Sequence, residues 1–334
     1  MKRRLKEIIS HIVGVDRVSQ RLQEQTNLLS QQIEEQGSRL SRQAREQNDG
    51  LRLLLGKNMA NYVKQHGIYD DIHNAEFQVF SQFGDDGILQ YLVHQTQPDQ
   101  HTFIEFGVGD YSESNTRFLL INDNWRGLII DGSQKAMNAL KNDDVYWRHD
   151  LTAIGAFITS ENINQLFLEN GFGGDVGILS IDIDGNDYWI WDAIDSVNPV
   201  LVIAEYNSVF GSDFAITIPY DLQFFRTKAH YSNLYWGCSL KSLCLLAEKK
   251  GYAFVGCNSN GNNAHFVRKD KVGNIPIKTA SQGYVESKFR EARDRDGNLT
   301  YLRGEQRIEI IKDMQVFDVE SGQLVYIKDL FKIK

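Results

Sequence analysis

Apolar and polar positions change rhythm twice along this chain. Val15, Leu22, Thr26, Leu29, Ile33, Gln36, Leu40, Gln43 and Gln47 follow a 4,3 spacing with polar residues between them and no proline, which predicts a helix that wants a helical partner. Its seam mixes Gln and Thr with Leu and Ile, so the coiled coil is expected to be short or weak. Ahead of it, Leu5, Ile8, Ile9, Ile12 and Val13 lie beside Lys2, Arg3, Arg4 and Lys6; such a helix packs on protein or rests on an anionic membrane surface. From residue 76 onward the rhythm is an alternation. "HTFIEFGVGD", "RGLIIDGS", "VYWRHDLT", "VGILSIDIDG" and "PVLVIAEYN" read as strands, and "SNTRFLLIND", "ITSENINQLFLEN" and "NDYWIWDAI" as helices between them. The pattern predicts an α/β fold, a largely parallel sheet with helices on both faces and ligands at the carboxyl ends of its strands. The expected organisation is a helical segment over 1–55, an α/β domain over 56–275 and a small β-rich appendage over 276–334 with a turn at Asp296 and Gly297.

Composition narrows the setting. With 334 residues, 42% of them hydrophobic, the chain can bury a sizeable core. A formal charge of -8 argues against nucleic acid, which needs a concentrated basic surface. Cys238, Cys244 and Cys257 have no metal-ligand spacing and read as thiols of a reducing compartment. No run of 18 apolar residues occurs and the basic start lacks a cleavage signal, so a cytoplasmic protein is the expectation.

The chemistry should sit where the strands end. In "FIEFGVGDYSESNT", Gly107 and Gly109 let the backbone turn sharply beside a ligand, and Ser112 and Asn115 are placed to cap the following helix. A dinucleotide fingerprint would need a third glycine where Ser112 stands, and Asp110 and Glu113 put negative charge where phosphates would lie. A nicotinamide-dependent oxidoreductase is therefore disfavoured. The second strand ends at Asp131, suited to a ribose diol, and the third is expected to end at His149 and Asp150, suited to an adenine amine. Glu105, Gly107, Gly109, Asn115, Asp131 and Asp150 together suit S-adenosylmethionine.

The order "SQFGDDGIL", "FIEFGVGDYSESNT", "LIIDGS", "SIDIDGNDYWIW", "LVIAEYN" and "SLKSLCLLAEKKGYAFVGCNSNGNNAHFVRKD" resembles the Rossmann-like S-adenosylmethionine-dependent methyltransferases, and within them the FkbM-type and glycan-modifying proteins of bacteria. The resemblance covers residues 76–270. It implies a seven-stranded, mostly parallel sheet, a methyl donor over the first three strand ends, and an acceptor hydroxyl of a glycan or small molecule at the fourth and fifth.

Asp184 ends the fourth strand and is the first candidate for catalysis; Asp182, two residues earlier on the same face, faces cofactor or a structural partner. Glu205 and Asn207 after the fifth strand are expected to converge with Asp184. Two carboxylates and an amide oxygen suit magnesium or calcium. Metal-dependent relatives of this resemblance carry an Asp-Asn pair where this chain has Glu-Tyr-Asn, so metal-free deprotonation by Asp184 or Glu205 stays open. In the long aromatic connection that follows, His230 is a candidate base, and Tyr206, Tyr220, Tyr235 and Trp236 are candidates for stacking on a sugar. His265 is expected to be structural, and Arg290, Arg293 and Arg295 a solvated turn. The partners expected are a hydroxyl acceptor, a second copy through the N-terminal helix, and a membrane or biosynthetic complex. A non-catalytic scaffold, and a methyltransferase of natural products or proteins, are the alternatives.

Overall fold

A computed structural model describes residues 2–288 and 291–332, without the side chains of 2–21 and of a few positions between 24 and 46. Arg290, and the side chains of the expected basic and apolar start with Val15, lie outside what is described. The chain forms two compact units, Met1–Leu55 and Gly56–Lys334. The helix α1 spans Lys2–Gln65. Within the first unit the expected seam is open, with Leu22, Leu29, Ile33 and Leu40 57–66% exposed. Among the described residues no helix is long and apolar enough to cross a membrane.

The second unit is built on the expected sheet. Strands β1 (Thr102–Phe106), β2 (Arg126–Asp131), β3 (Leu151–Gly155), β4 (Gly174–Ile181) and β5 (Val197–Glu205) are parallel, and the hairpin of β7 (Tyr252–Cys257) and β8 (Asn263–Arg268) adds antiparallel beside β5. The order is β3-β2-β1-β4-β5-β8-β7. These strands are buried on both faces, which is why they read as continuous apolar runs. Ile104, Phe106, Leu179 and Ile181 pack toward α6 (Ile163–Glu169), α7 (Asp187–Ala193) and α9 (Leu240–Lys250). Phe103, Ile129, Ile178 and Ile203 pack toward α2 (Asp85–Thr96), α3 (Arg117–Asp123) and α4 (Gln134–Leu140). The "SQFGDD" segment is a structural clasp: Asp86 Oδ2 accepts from the amides of Val79, Phe80 and Ser81 at 2.7–2.8 Å.

Two expectations change. "VYWR" is not a strand but the helix α5 (Asp144–Arg148), started by Asp143, whose side chain accepts from the Val145 amide. The third strand therefore begins at Leu151, and Asp150 stands at its amino end, 3.9 Å from Arg126. The tail is woven into the unit rather than appended. β9 (Gln315–Asp318) pairs with β10 (Gln323–Tyr326) and with β6 (Ile216–Thr217), which lies in the long connection after β5. That small sheet closes a third core around Phe210, Ile216, Ile308 and Val316.

Candidate active site

The carboxyl ends of β1 to β4 open into a cavity of about 440 Å³. Its floor is the glycine turn after β1. Gly107, at φ +66°, passes so close to the β4 loop that a Cβ there would lie 1.7 Å from the Asp182 carbonyl oxygen, so only glycine fits. Gly109, also at positive φ, faces open space, and its amide donates to Asp131 Oδ2 at 2.8 Å. The other oxygen of Asp131 accepts from the Ser133 amide at 2.7 Å. Asp131 thereby ties two loops together while lining the cavity, and each carboxylate oxygen keeps a further lone pair. The side wall comes from Ala156, Phe157 and Ile158, which follow the true end of the third strand at Gly155.

The far wall is acidic. β4 ends at Ile181, so Asp182 and Asp184 lie in the turn after it rather than on the strand, and Asp184 has a left-handed backbone at φ +55°. The turn is held by Asp187, which accepts from the amides of Ile183 at 2.8 Å and Gly185 at 2.9 Å. This geometry brings oxygens of Asp182, Asp184 and Glu205 within 4.8 Å of one another. Burial and the neighbouring charges of Asp184 and Asp187 push Asp182 up to about 8. Glu205 is raised well above the carboxylate range by burial and by Asp182, and its Oε2 has no hydrogen-bond partner.

The long aromatic connection after β5 covers this wall as a roof, through residues other than those singled out from the sequence. The segment carrying α8 (Arg226–Ala229) brings Phe224, Phe225, Arg226 and Thr227 into the cavity lining. Phe224 presses on Gly185, where a Cβ would sit 2.3 Å from its ring. Arg226 donates to Asp184 at 2.6 Å, to Glu291 and to the Asn233 carbonyl at 3.1 Å, and stacks 4.3 Å over Trp236. Arg226 carried no motif, and its partner Asp184 is 42 residues away in the chain.

Of the residues singled out from sequence, Gly107, Gly109, Asp131, Asp182 and Asp184 line the cavity, with Glu205 against the last two. Asp150 does not join them, because it sits at the opposite end of the sheet. Glu105 is committed elsewhere, accepting from Ser114, Asn115 and Thr116. Asn115 donates to Ser180 at 3.1 Å and is not part of the lining. Asn207 is no metal ligand here: its amide donates to the carbonyls of Leu234 and Trp236, and its oxygen accepts from Val209. His230 lies outside both the lining and the acidic group, paired with Ser232 at 2.8 Å, its pKa lowered by burial and by Arg295. The Tyr206 hydroxyl donates to Val285 and that of Tyr235 to Gln315, so the rings available to a ligand are Phe157, Phe224 and Phe225 instead. His265 is fully buried 3.3 Å from Asp85, with neither ring nitrogen hydrogen-bonded.

No protein-family model matches the chain, and neither does any curated protein. Among solved structures it is similar to the N-terminal domain of EvdMO1 with SAH bound, at 9% identity and a TM-score of 0.37 over 63% of this chain and 94% of that one. It is similar also to an O-methyltransferase from Bacillus cereus in complex with SAH, at 15% identity and a TM-score of 0.34 over 62% and 94%. A putative RNA methyltransferase, PH1948 from Pyrococcus horikoshii, aligns at 10% identity and a TM-score of 0.33 over 64% and 96%. Likeness of this size leaves the assignment to the site itself.

Proposed function

We propose that this protein is an S-adenosylmethionine-dependent O-methyltransferase acting on a hydroxyl of a sugar in a glycan or glycan precursor. One observation carries the reading: a single cavity at the strand ends runs from a glycine floor and Asp131 to a wall of three clustered carboxylates. Its size falls within the range of about 300–1,000 Å³ typical of small-molecule sites.

Gly107, Gly109, Asp131, Phe157 and Asp182 are the residues that would hold the cofactor, with a carboxylate for a ribose diol and an aromatic face for an adenine. Bound there, it supplies a methyl group made electrophilic by a positively charged sulfur. The chain's own part is to orient the acceptor and take its proton. Asp184 is engaged by Arg226, whereas Glu205 Oε2 is free, so Glu205 is the general base. Asp182, Asp184 and Glu205 also offer the hard oxygens that magnesium prefers, and an ion held there would make the hydroxyl more acidic.

The sugar acceptor is supported by the sequence resemblance and by the half-exposed ring of Phe225 in the cavity lining, on which a sugar face can stack. The open Leu and Ile stripe of α1 supports pairing with a second copy, in a cytoplasmic setting with contact to a membrane or biosynthetic complex. Calorimetric titration with S-adenosylhomocysteine, with and without magnesium, tests the reading. Micromolar binding that Asp131→Ala weakens at least about tenfold is expected, followed by a mass gain of one methyl group on a saccharide acceptor. Absence of binding in either buffer overturns it.

A further inference from the structure

The acidic wall gathers more carboxyl groups than the protein supplies with cations. Asp182 and Asp184 line the cavity, Glu205 stands against them at 7% exposure, and Glu291 lies on the far side of Arg226. Arg226 is the cation supplied to this wall by the roof, and its hydrogen bonds run to Asp184, Glu291 and the Asn233 carbonyl. Among the described residues none of them reaches Asp182 or Glu205. Glu205 Oε2 is buried without a partner, an arrangement that costs stability unless something of opposite charge enters. A positive ligand at the cavity's acidic side completes the wall, and a neutral ligand of the same shape leaves it as it was.

Resting on the reading of this cavity as a methyl-donor site, we propose that Asp182 and Glu205 read the charge of the cofactor's sulfur, so that the pocket prefers the sulfonium donor over its neutral thioether product. In the transfer the sulfur–methyl bond breaks, its electron pair stays on sulfur, the acceptor oxygen gains the methyl group, and the hydroxyl proton passes to a carboxylate. Sulfur is then neutral and its attraction to the wall is gone. The product is thereby released by the same residues that drew the donor in, and it competes weakly with fresh donor. Arg226 moderates the effect by neutralising Asp184.

Calorimetry on the full chain in the presence of a chelator tests this with three ligands of one shape: S-adenosylmethionine, S-adenosylhomocysteine and sinefungin, whose amine is a cation at the sulfur position. The two cations are expected to bind at least about tenfold more tightly than the thioether, a difference of about 1.4 kcal/mol. Glu205→Gln and Asp182→Asn are expected to weaken the two cations at least about tenfold more than the thioether, whose retained binding also shows that the variants are folded. Equal or tighter thioether binding by the unmodified protein overturns the inference and leaves the methyltransferase reading standing. So does a cation preference that survives both substitutions. Failure of all three ligands to bind overturns the reading itself and the inference with it.

Discussion

Glu105 is the penultimate residue of β1 and Glu205 the last of β5, and by alternation each shares the face of Phe103 or Ile203 that packs toward α2. Burial raises both above the ordinary carboxylate range. Their surroundings differ. Glu105 receives the amides of Asn115 and Thr116 and the hydroxyls of Ser114 and Thr116, all from the loop that follows its own strand. Glu205 faces Asp182, Asp184 and Asp187, and one of its oxygens receives nothing. A buried carboxylate surrounded by donors holds a loop in place; one surrounded by its own kind stores a demand for a cation or a proton. The contrast separates a structural acid from a functional one more sharply than position along the sequence does.

The largest effect that tests this contrast should come from Glu105→Ala. It removes the acceptor shared by two amides and two hydroxyls, and a loss of about 3 kcal/mol in chemical denaturation is expected. Glu205→Gln should act in the opposite direction, raising the stability of the unliganded protein by about 1 kcal/mol because a charge repulsion disappears. The same substitution should cost at least about a hundredfold in methyl transfer. Destabilisation by Glu205→Gln would place it in the structural class with Glu105.

A pH series gives an intermediate effect. Asp182 is pushed up to about 8 from 3.8, so the folded state holds a proton that the unfolded chain has released. The contribution of Asp182 to stability is complete below about pH 4 and is lost as pH rises toward about 8, the reverse of an ion-paired carboxylate. Glu105 and Glu205 add slopes of the same sign. Thermal unfolding of the unliganded protein should therefore show a midpoint that declines across this window, and Asp182→Asn should flatten the decline. The smallest effect is expected at Asp150: at the amino end of its strand, Asp150→Ala should change S-adenosylhomocysteine affinity by less than about twofold.

Much of the scaffold was legible because parallel strands covered on both faces must be apolar from end to end. "GILSI" and "VLVIAE" could not easily be anything else, and the residue after each such run is at a strand end by construction; Asp131 and the Asp182 to Asp184 turn follow from that. "VYWRHDLT" was misread because three large residues in a row mimic a strand. Only Val145 among them is buried, and the helix is decided by the Asp143 cap. Asn207 shows the same limit at the level of chemistry. An asparagine after a strand looks like a ligand whatever it does, and here carbonyls 27 and 29 residues further on consume its amide.

The amino-acid sequence alone determined the alternation of strands and helices, the glycine turn and the acidic strand ends, since these depend on local periodicity and on backbone freedom. Tertiary structure decided which acids are satisfied and which are not. It brought Arg226 to Asp184 across 42 residues and set Glu205 beside Asp182 from the neighbouring strand. The energy of a buried charge depends on what surrounds it in space, and a linear chain does not specify those neighbours until it folds.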